Sequence, residues 1–159
     1  MVALLTSEQL NVLVLLDEEK NARSTKDDLV KTKLIREQNV VFLSEAFGTA
    51  PPNEADIEDL LDANIYESLV KESYAKELEG KTLILNANIP RIAKRVEAAF
   101  RDLGIEFHKT RPTRLLLKKM ASDPKTIVTE GSAKRFEIVF AAINERLERH
   151  MARAANPFE

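Results

Sequence analysis

An unbroken apolar run that ends in three acids is the feature that most constrains this chain. Residues 12–16 read VLVLL, and Asp17, Glu18 and Glu19 follow without a break. A continuous branched apolar run of this length is typical of a strand buried on both faces, as in a parallel sheet. Crowded carboxylates repel one another, and burial makes their charge more costly. The acids therefore either point into water or surround a bound cation.

A second short apolar run, VVFL at residues 40–43, follows closely enough to pair with the first. Between the two runs, Ser24 or Thr25 can cap a helix over about 26–38. Strand, helix and strand within about 30 residues form one β-α-β unit. The sequence thus predicts an α/β fold, with a partial parallel sheet flanked by helices.

Helices are expected to predominate in the rest of the chain. Asn64 is a candidate cap for the first of them, and Gly104 is expected to end the second. The predicted ranges are about 64–78, 89–103, 112–121 and 132–151. IEFHK at 105–109 alternates like a short edge strand. The predicted organisation is a core with acidic motifs at 1–62, a helical lobe at 63–104, and a basic segment with C-terminal helices returning to the core at 105–159.

Composition narrows the possible chemistry. The 159 residues include no cysteine, which excludes disulfides, thiolate metal sites and a cysteine nucleophile. No apolar run is long enough to span a bilayer, and no signal peptide is evident, so we expect a cytoplasmic protein without a membrane partner. The net charge of −2 hides an asymmetry, because residues 1–80 carry a net −9 and residues 81–159 a net +7. This split is typical either of a cation site beside a polyanion-binding surface or of two solvated faces.

Two acidic segments are candidates for a shared cation site. Ligands of open α/β sheets lie outside the carboxyl ends of the strands, where Asp17 and Glu19 are expected. The segment ADIEDLLD at 55–62 follows the second strand and supplies further acids at positions 56, 58, 59 and 62. Ligands that are all oxygens favour Mg²⁺ or Mn²⁺. Taken separately, each segment has another explanation: Asp17 as a turn acid, and residues 56–62 as the acidic first turn of a helix.

The order of these motifs resembles the Toprim nuclease domain of the OLD-family (overcoming lysogenization defect) ATP-dependent endonucleases. VLVLLDEEK is similar to that family's strand ending in a D-x-D metal motif, and ADIEDLL to its I-E-D-L-L segment. FHKTRPT at 107–113 resembles a later segment whose lysine faces the active site. The likeness extends over about residues 10–145, and it implies a Toprim-like sheet with a helical lobe.

The resemblance implies a metal-dependent DNA endonuclease and a set of site residues. It assigns Lys109 as the basic active-site residue. The implied metal ligands are Asp17, Glu19 and Glu58, with Asp59 or Asp56 in addition. We expect a basic surround to hold the DNA backbone, formed by Arg111, Arg114, Lys118 and Lys119.

Among the departures of the sequence from the family pattern, two bear most on the expected activity. Toprim domains of this kind begin with an earlier strand whose terminal glutamate is a metal ligand, and no such strand precedes residue 12. No phosphate-binding G-x-x-x-x-G-K-[ST] motif is present, so the N-terminal ATPase domain is an expected partner outside this chain. We therefore expect the C-terminal part of such a nuclease, weak or inactive when isolated, and a second copy of the chain is a further candidate partner.

Two other functional classes remain open at this point. A haloacid-dehalogenase-like phosphatase also places an aspartate after an apolar strand, but its D-x-D-x-T/V pattern would need Thr or Val where Asn21 stands. A non-catalytic interaction or dimerisation module of the same fold would keep the acids without the chemistry. Metal binding that depends on Asp17 separates the nuclease from the interaction module.

Overall fold

A parallel pair of strands opens the computed structural model, which describes residues 12–49 and 51–155. β1 (Val14–Leu16) pairs with β2 (Val40–Phe42), with Val14 opposite Val40 and Leu16 opposite Phe42. Between the strands lies α1 (Ala22–Lys31). Parallel strands need a long crossover connection, and this helix supplies it. The predicted parallel β-α-β unit is confirmed.

The two strands are not equally buried. All three residues of β2 are buried, and Val40 and Phe42 pack with Ala22 of α1 and with Ile35. The residues of β1 are only half-buried, so the prediction of a first strand buried on both faces is wrong. The sheet has two strands in the part of the chain described here.

The bounds of α1 differ from the prediction at both ends. The helix begins after Asn21, so Ser24 and Thr25 lie inside its first turn instead of capping it. It ends at Lys31, several residues before the expected position, and Lys33 has a positive φ of 57°. A left-handed backbone conformation cannot continue a right-handed helix, which explains the early end.

Three helices follow: α2 (Ala63–Ser73), α3 (Ile92–Asp102) and α4 (Thr110–Ser122). Asp62 occupies the N-cap position of α2, two residues before the predicted cap Asn64. α2 contacts both α3 and α4, and α3 also contacts a 3₁₀ turn at Ile57–Leu60. Leu69 and Val70 of α2 and Phe100 of α3 are buried in this unit.

The predicted edge strand at 105–109 is wrong, because this segment has no strand partner among the described residues. Gly104 ends α3 with a φ of +69°, as predicted, and the chain then turns inward. The Phe107 ring lies 5.2 Å from that of Phe100 and 5.8 Å from that of Tyr74. The Tyr74 hydroxyl accepts a hydrogen bond from the His108 N–H at 2.7 Å. An aromatic contact and a side-chain hydroxyl thus take the place of a neighbouring strand.

The last helix, α5 (Glu130–Ala155), contains the predicted range 132–151. By its internal contacts the chain divides into two units. The strand unit runs through Glu54 and resumes at Arg135, and the helical unit is Ala55–Lys134. Within the strand unit, Arg146 of α5 donates to both carboxylate oxygens of Glu45, at 3.0 and 2.8 Å.

The fold is mixed α/β and mostly helical, with one small parallel sheet. Its two units group the residues differently from the predicted three parts, since 55–62 and 105–134 fall together with 63–104. The three-part organisation stays a prediction. None of the helices in the described ranges is long and apolar enough to cross a membrane.

Candidate functional site

The three acids after β1 do not share one environment. Asp17 and Glu19, the predicted metal ligands, are exposed, whereas Glu18 between them is 8% exposed. Alternate residues of an extended chain point to opposite sides, so Glu18 follows the inward direction of Leu16. The buried acid at the end of the sheet is therefore Glu18, which was not among the predicted ligands.

Glu18 is held by two side chains. Ser44, which lies just beyond β2, donates its hydroxyl to Glu18 Oε2 at 2.5 Å. The Arg23 guanidinium donates to both carboxylate oxygens at 3.2 Å. Arg23 also lies over the Phe42 ring, with its Cζ 4.0 Å from the ring centroid. A fork of this kind satisfies a buried carboxylate and fixes its orientation at the carboxyl end of the sheet.

In the helical unit, the predicted acids surround the 3₁₀ turn at Ile57–Leu60. Asp59 accepts hydrogen bonds from the Asp56 N–H and from the Ile92 N–H at the start of α3, both at 2.8 Å. Burial raises the pKa of Asp59 above its usual value, although these two hydrogen bonds oppose the shift. Asp59 thus connects the turn to the N-terminus of α3, where a carboxylate is electrostatically favoured.

Lys109 lies beside two of these acids. Its Nζ donates to Glu58 Oε2 at 3.2 Å and to Asp56 Oδ2 at 3.4 Å. The other oxygen of Asp56 accepts from Arg91 Nη1 at 2.9 Å. Burial lowers the pKa of Lys109, but the charges of Glu58 and Asp56 outweigh this effect and the pKa is raised. The structure therefore brings together the predicted basic residue and two of the predicted ligands.

These side chains form what we call the acid–lysine cluster: Asp56, Glu58, Asp59, Arg91 and Lys109. The buried hydroxyl of Tyr66 has no hydrogen-bond partner among the described residues. Burial raises the pKa of Tyr66, and the charges of the three carboxylates add to the effect. A buried polar atom without a partner costs free energy.

The oxygen donors of the cluster suit Mg²⁺ or Mn²⁺ by their chemistry. Their arrangement does not match this chemistry, because no group of three or more His, Asp or Glu residues in the described ranges is placed to hold a metal ion. Asp56 bonds to two cations of the chain itself, and Asp59 bonds to two main-chain N–H groups. Asp17 and Glu19 belong to the strand unit. The shared metal site stays a prediction.

The four residues predicted to bind nucleic acid differ in what they contact. Arg111 donates to Glu77 Oε1 and to the Ser73 carbonyl, both at 2.6 Å, and its Cζ lies 3.8 Å from the centroid of the Tyr74 ring. Lys119 pairs with a glutamate of α2 at 2.7 Å. The side chains with no such partner in the described ranges are those of Arg114 and Lys118, which are both exposed.

Arg114 and Lys118 are one helical turn apart and therefore lie on the same face of α4. Of the predicted set, these two are the cations that α4 offers to a polyanion. Comparison with known proteins adds no assignment, since the chain matches no family model, no curated protein and no solved structure.

Proposed function

We propose that this chain is the C-terminal Toprim portion of an OLD-type, metal-dependent DNA endonuclease. The observation that supports the proposal best is the position of Lys109, whose Nζ lies 3.2 Å from Glu58 and 3.4 Å from Asp56. The segments IEDLL and FHKTRPT, which carry much of the resemblance, are about 50 residues apart in sequence, as the separation of 51 between Glu58 and Lys109 illustrates. Their contact is what a shared active site requires.

In this proposal the metal ligands are Asp17, Glu19 and Glu58, with Asp59 or Asp56 in addition. When bound, Mg²⁺ or Mn²⁺ supplies an activated water and neutralises charge on the phosphate. Lys109 offsets the negative charge that develops on the phosphate during hydrolysis. An ATPase domain on another chain or segment is the proposed partner. The isolated chain is expected to nick DNA weakly or not at all, because no group of three or more acids or histidines in the described ranges is placed to hold a metal ion.

DNA binding is proposed for the exposed cations of α4. Contacts to phosphates release counterions, so affinity should fall steeply as salt rises. We expect the chain to bind duplex DNA at low salt, and Arg114→Gln/Lys118→Gln to weaken binding and flatten the salt dependence. The double variant Lys31→Gln/Lys125→Gln removes the same charge from exposed positions elsewhere and is the matched control. Absence of binding by the unmodified chain at low salt would contradict the nucleic-acid assignment.

Metal binding is tested by thermal unfolding with millimolar Mn²⁺. A ligand that binds only the folded state raises the melting temperature by mass action. We expect a rise that Asp17→Ala abolishes and that Asp28→Ala, at an exposed acid on α1, leaves intact. A plasmid-nicking assay with Mn²⁺ on the same variants completes the test. Robust nicking that is insensitive to Asp17→Ala would exclude the proposed ligand set.

The second candidate is a non-catalytic interaction module of the same fold. It is favoured by one specific observation: both carboxylate oxygens of Asp56 and of Asp59 already bond within the chain. Such a network serves stability without any metal. This candidate predicts an unchanged melting temperature with Mn²⁺ and no effect of Asp17→Ala on any activity, which is the opposite of the nuclease result.

A further inference from the structure

We infer that residues 82–86 form an exposed edge strand that pairs with the same segment of a second copy of this chain. The segment reads TLILN and lies between α2 and α3 in the sequence. The pairing is antiparallel and centred on Ile84, and it covers a groove beside α3. This surface needs neither a metal nor DNA, so the inference does not depend on the proposed nuclease.

The main chain of this segment provides the first argument. Residues 81–86 run without a helix, turn or bend. Within the described ranges, no N–H or C=O group of residues 82–85 takes part in a hydrogen bond. Main-chain bonds resume on both sides, since the Lys81 N–H donates at 2.9 Å and the Ile89 N–H at 3.2 Å. A row of unpaired main-chain groups is what a further strand needs for pairing.

The side chains of the segment alternate as they do in a strand. Thr82, Ile84 and Asn86 are exposed, whereas Leu83 and Leu85 are half-buried. Ile84 is 77% exposed, the largest fraction among the exposed large apolar side chains of the described residues. Alternation with a period of two is typical of a β-strand with one open face. The segment therefore has the side-chain pattern of a strand, although it has no strand partner within the described ranges.

A groove of about 500 Å³ lies between the exposed side chains and the C-terminal end of α3. Its lining residues are Thr82, Ile84, Asn86, Ala99, Asp102 and Leu103. Of these six residues only Asp102 carries a charge. A groove between an extended segment and a helix suits the addition of a strand, because main-chain hydrogen bonds form on one side and side-chain contacts on the other.

Self-complementarity identifies the occupant as a second copy. In an antiparallel pair centred on Ile84, this residue lies opposite itself and Thr82 lies opposite position 86. Symmetric dimers use the same patch on both subunits in this way. Residues 82–89 contain no charged residue and no proline, which are two devices that protect exposed edges from pairing. No like charges meet in this register, and the two isoleucine side chains cover each other.

The first experiment measures the oligomeric state by sedimentation equilibrium over a range of chain concentrations. The unmodified chain should form a dimer in a concentration-dependent way. Ile84→Lys places like charges opposite each other and should weaken dimerisation at least about tenfold. Leu117→Lys is the matched control, because Leu117 is 64% exposed on α4, and it should leave the dimer unchanged. A chain that stays monomeric at millimolar concentration, or a dimer that Ile84→Lys does not weaken, overturns the inference.

The second experiment tests the register and makes use of a sequence without cysteine. Ile84→Cys should form an intermolecular disulfide in a glutathione buffer, because Cβ atoms directly opposite each other are about 4.5–5.5 Å apart, close to disulfide reach. Thr82→Cys should cross-link poorly with itself and efficiently with Asn86→Cys. Leu117→Cys gives the background rate of an exposed thiol. Equal rates at positions 84 and 117 overturn the pairing, and so does a monomeric chain that binds an unrelated strand-forming peptide in this groove.

Discussion

The strongest test of the acid–lysine cluster is to remove one acid at a time and compare the costs. Asp56→Ala deletes the carboxylate that Arg91 contacts at 2.9 Å. The side chains of this pair are 15% and 3% exposed, for Arg91 and Asp56 respectively, so the arginine left behind is poorly solvated. Breaking a buried ion pair by removing one partner typically costs about 3–5 kcal/mol. We expect a loss near the lower end, about 3 kcal/mol, because Arg91 is not fully buried.

Glu58→Gln is the matched control within the same cluster. Glu58 contacts Lys109, whose side chain is 40% exposed and keeps its contact with Asp56. A partly solvated ion pair contributes less than about 1 kcal/mol. Asp56 and Glu58 were both predicted as metal ligands, yet their stability costs should differ by about 2 kcal/mol, because Arg91, the partner of Asp56, is 15% exposed and Lys109, the partner of Glu58, is 40% exposed.

The assay follows from the composition of the chain. There are two tyrosines and no tryptophan, and both Tyr66 and Tyr74 lie in the helical unit. Intrinsic tyrosine fluorescence during urea unfolding therefore reports on this unit alone. The expected result is a lower midpoint for Asp56→Ala with an unchanged slope. Equal stability of the two variants, or a loss below about 1 kcal/mol for Asp56→Ala, would refute the assignment of Asp56 as a buried structural partner.

Three further predictions concern contacts outside that cluster. The hydrogen bond from Arg111 lowers the pKa of Glu77 below its ordinary 4.5. The stability that this ion pair contributes is present above pH 4.5 and is lost as the pH falls through the folded-state pKa. Glu77→Gln should therefore destabilise the chain at about pH 7, and its stability should converge with that of the unmodified chain in acid. Ser44→Ala removes a hydrogen bond from buried Glu18 and should lower the free energy of unfolding by about 1–3 kcal/mol. The measurement is amide hydrogen exchange in β2, which should become faster; an unchanged rate would show that the bond is dispensable. Tyr74→Phe should cost about 1–2 kcal/mol by removing the partner of a main-chain N–H, and an unchanged urea midpoint would contradict that role.

The β-α-β unit could be predicted from the sequence because two local signals agree there. Unbroken branched runs at 12–16 and 40–43 indicate strands, and the polar stretch between them is long enough for a helix but too short for a further domain. Helical periodicity likewise located the long C-terminal helix, whose observed range includes the predicted one. Helices and strands can be predicted from the sequence where the spacing of their own apolar residues determines the secondary structure.

The failures occur where a residue far along the chain decides the local structure. The segment 105–109 alternates like a strand, yet Phe107 packs on two aromatic rings and His108 bonds to the Tyr74 hydroxyl. No local sequence pattern indicates a hydrogen-bond partner that lies 34 residues away. The same limit applies to Asp56, whose two cationic partners lie 35 and 53 residues further along.

Glu18 was missed for a different reason, since the signal was present. Strand periodicity places residues 14, 16 and 18 on one side, and the first two are apolar residues that pack against the core cluster. Asp17 and Glu19 were predicted as ligands instead, because their spacing resembles a metal motif. Extending the alternation two residues past the apolar run would have identified Glu18 as the buried acid.

Hydrogen bonds join the beginning and the end of the helical unit. The Asp62 N–H donates to Ser132 Oγ at 3.0 Å, and Thr129 Oγ1 donates to the Asp62 carboxylate at 2.6 Å. This segment, Ala55–Lys134, is continuous in sequence, so it leaves the rest of the chain and comes back through neighbouring points. A continuous segment whose ends lie close together is a candidate for circular permutation, with a short linker joining its ends.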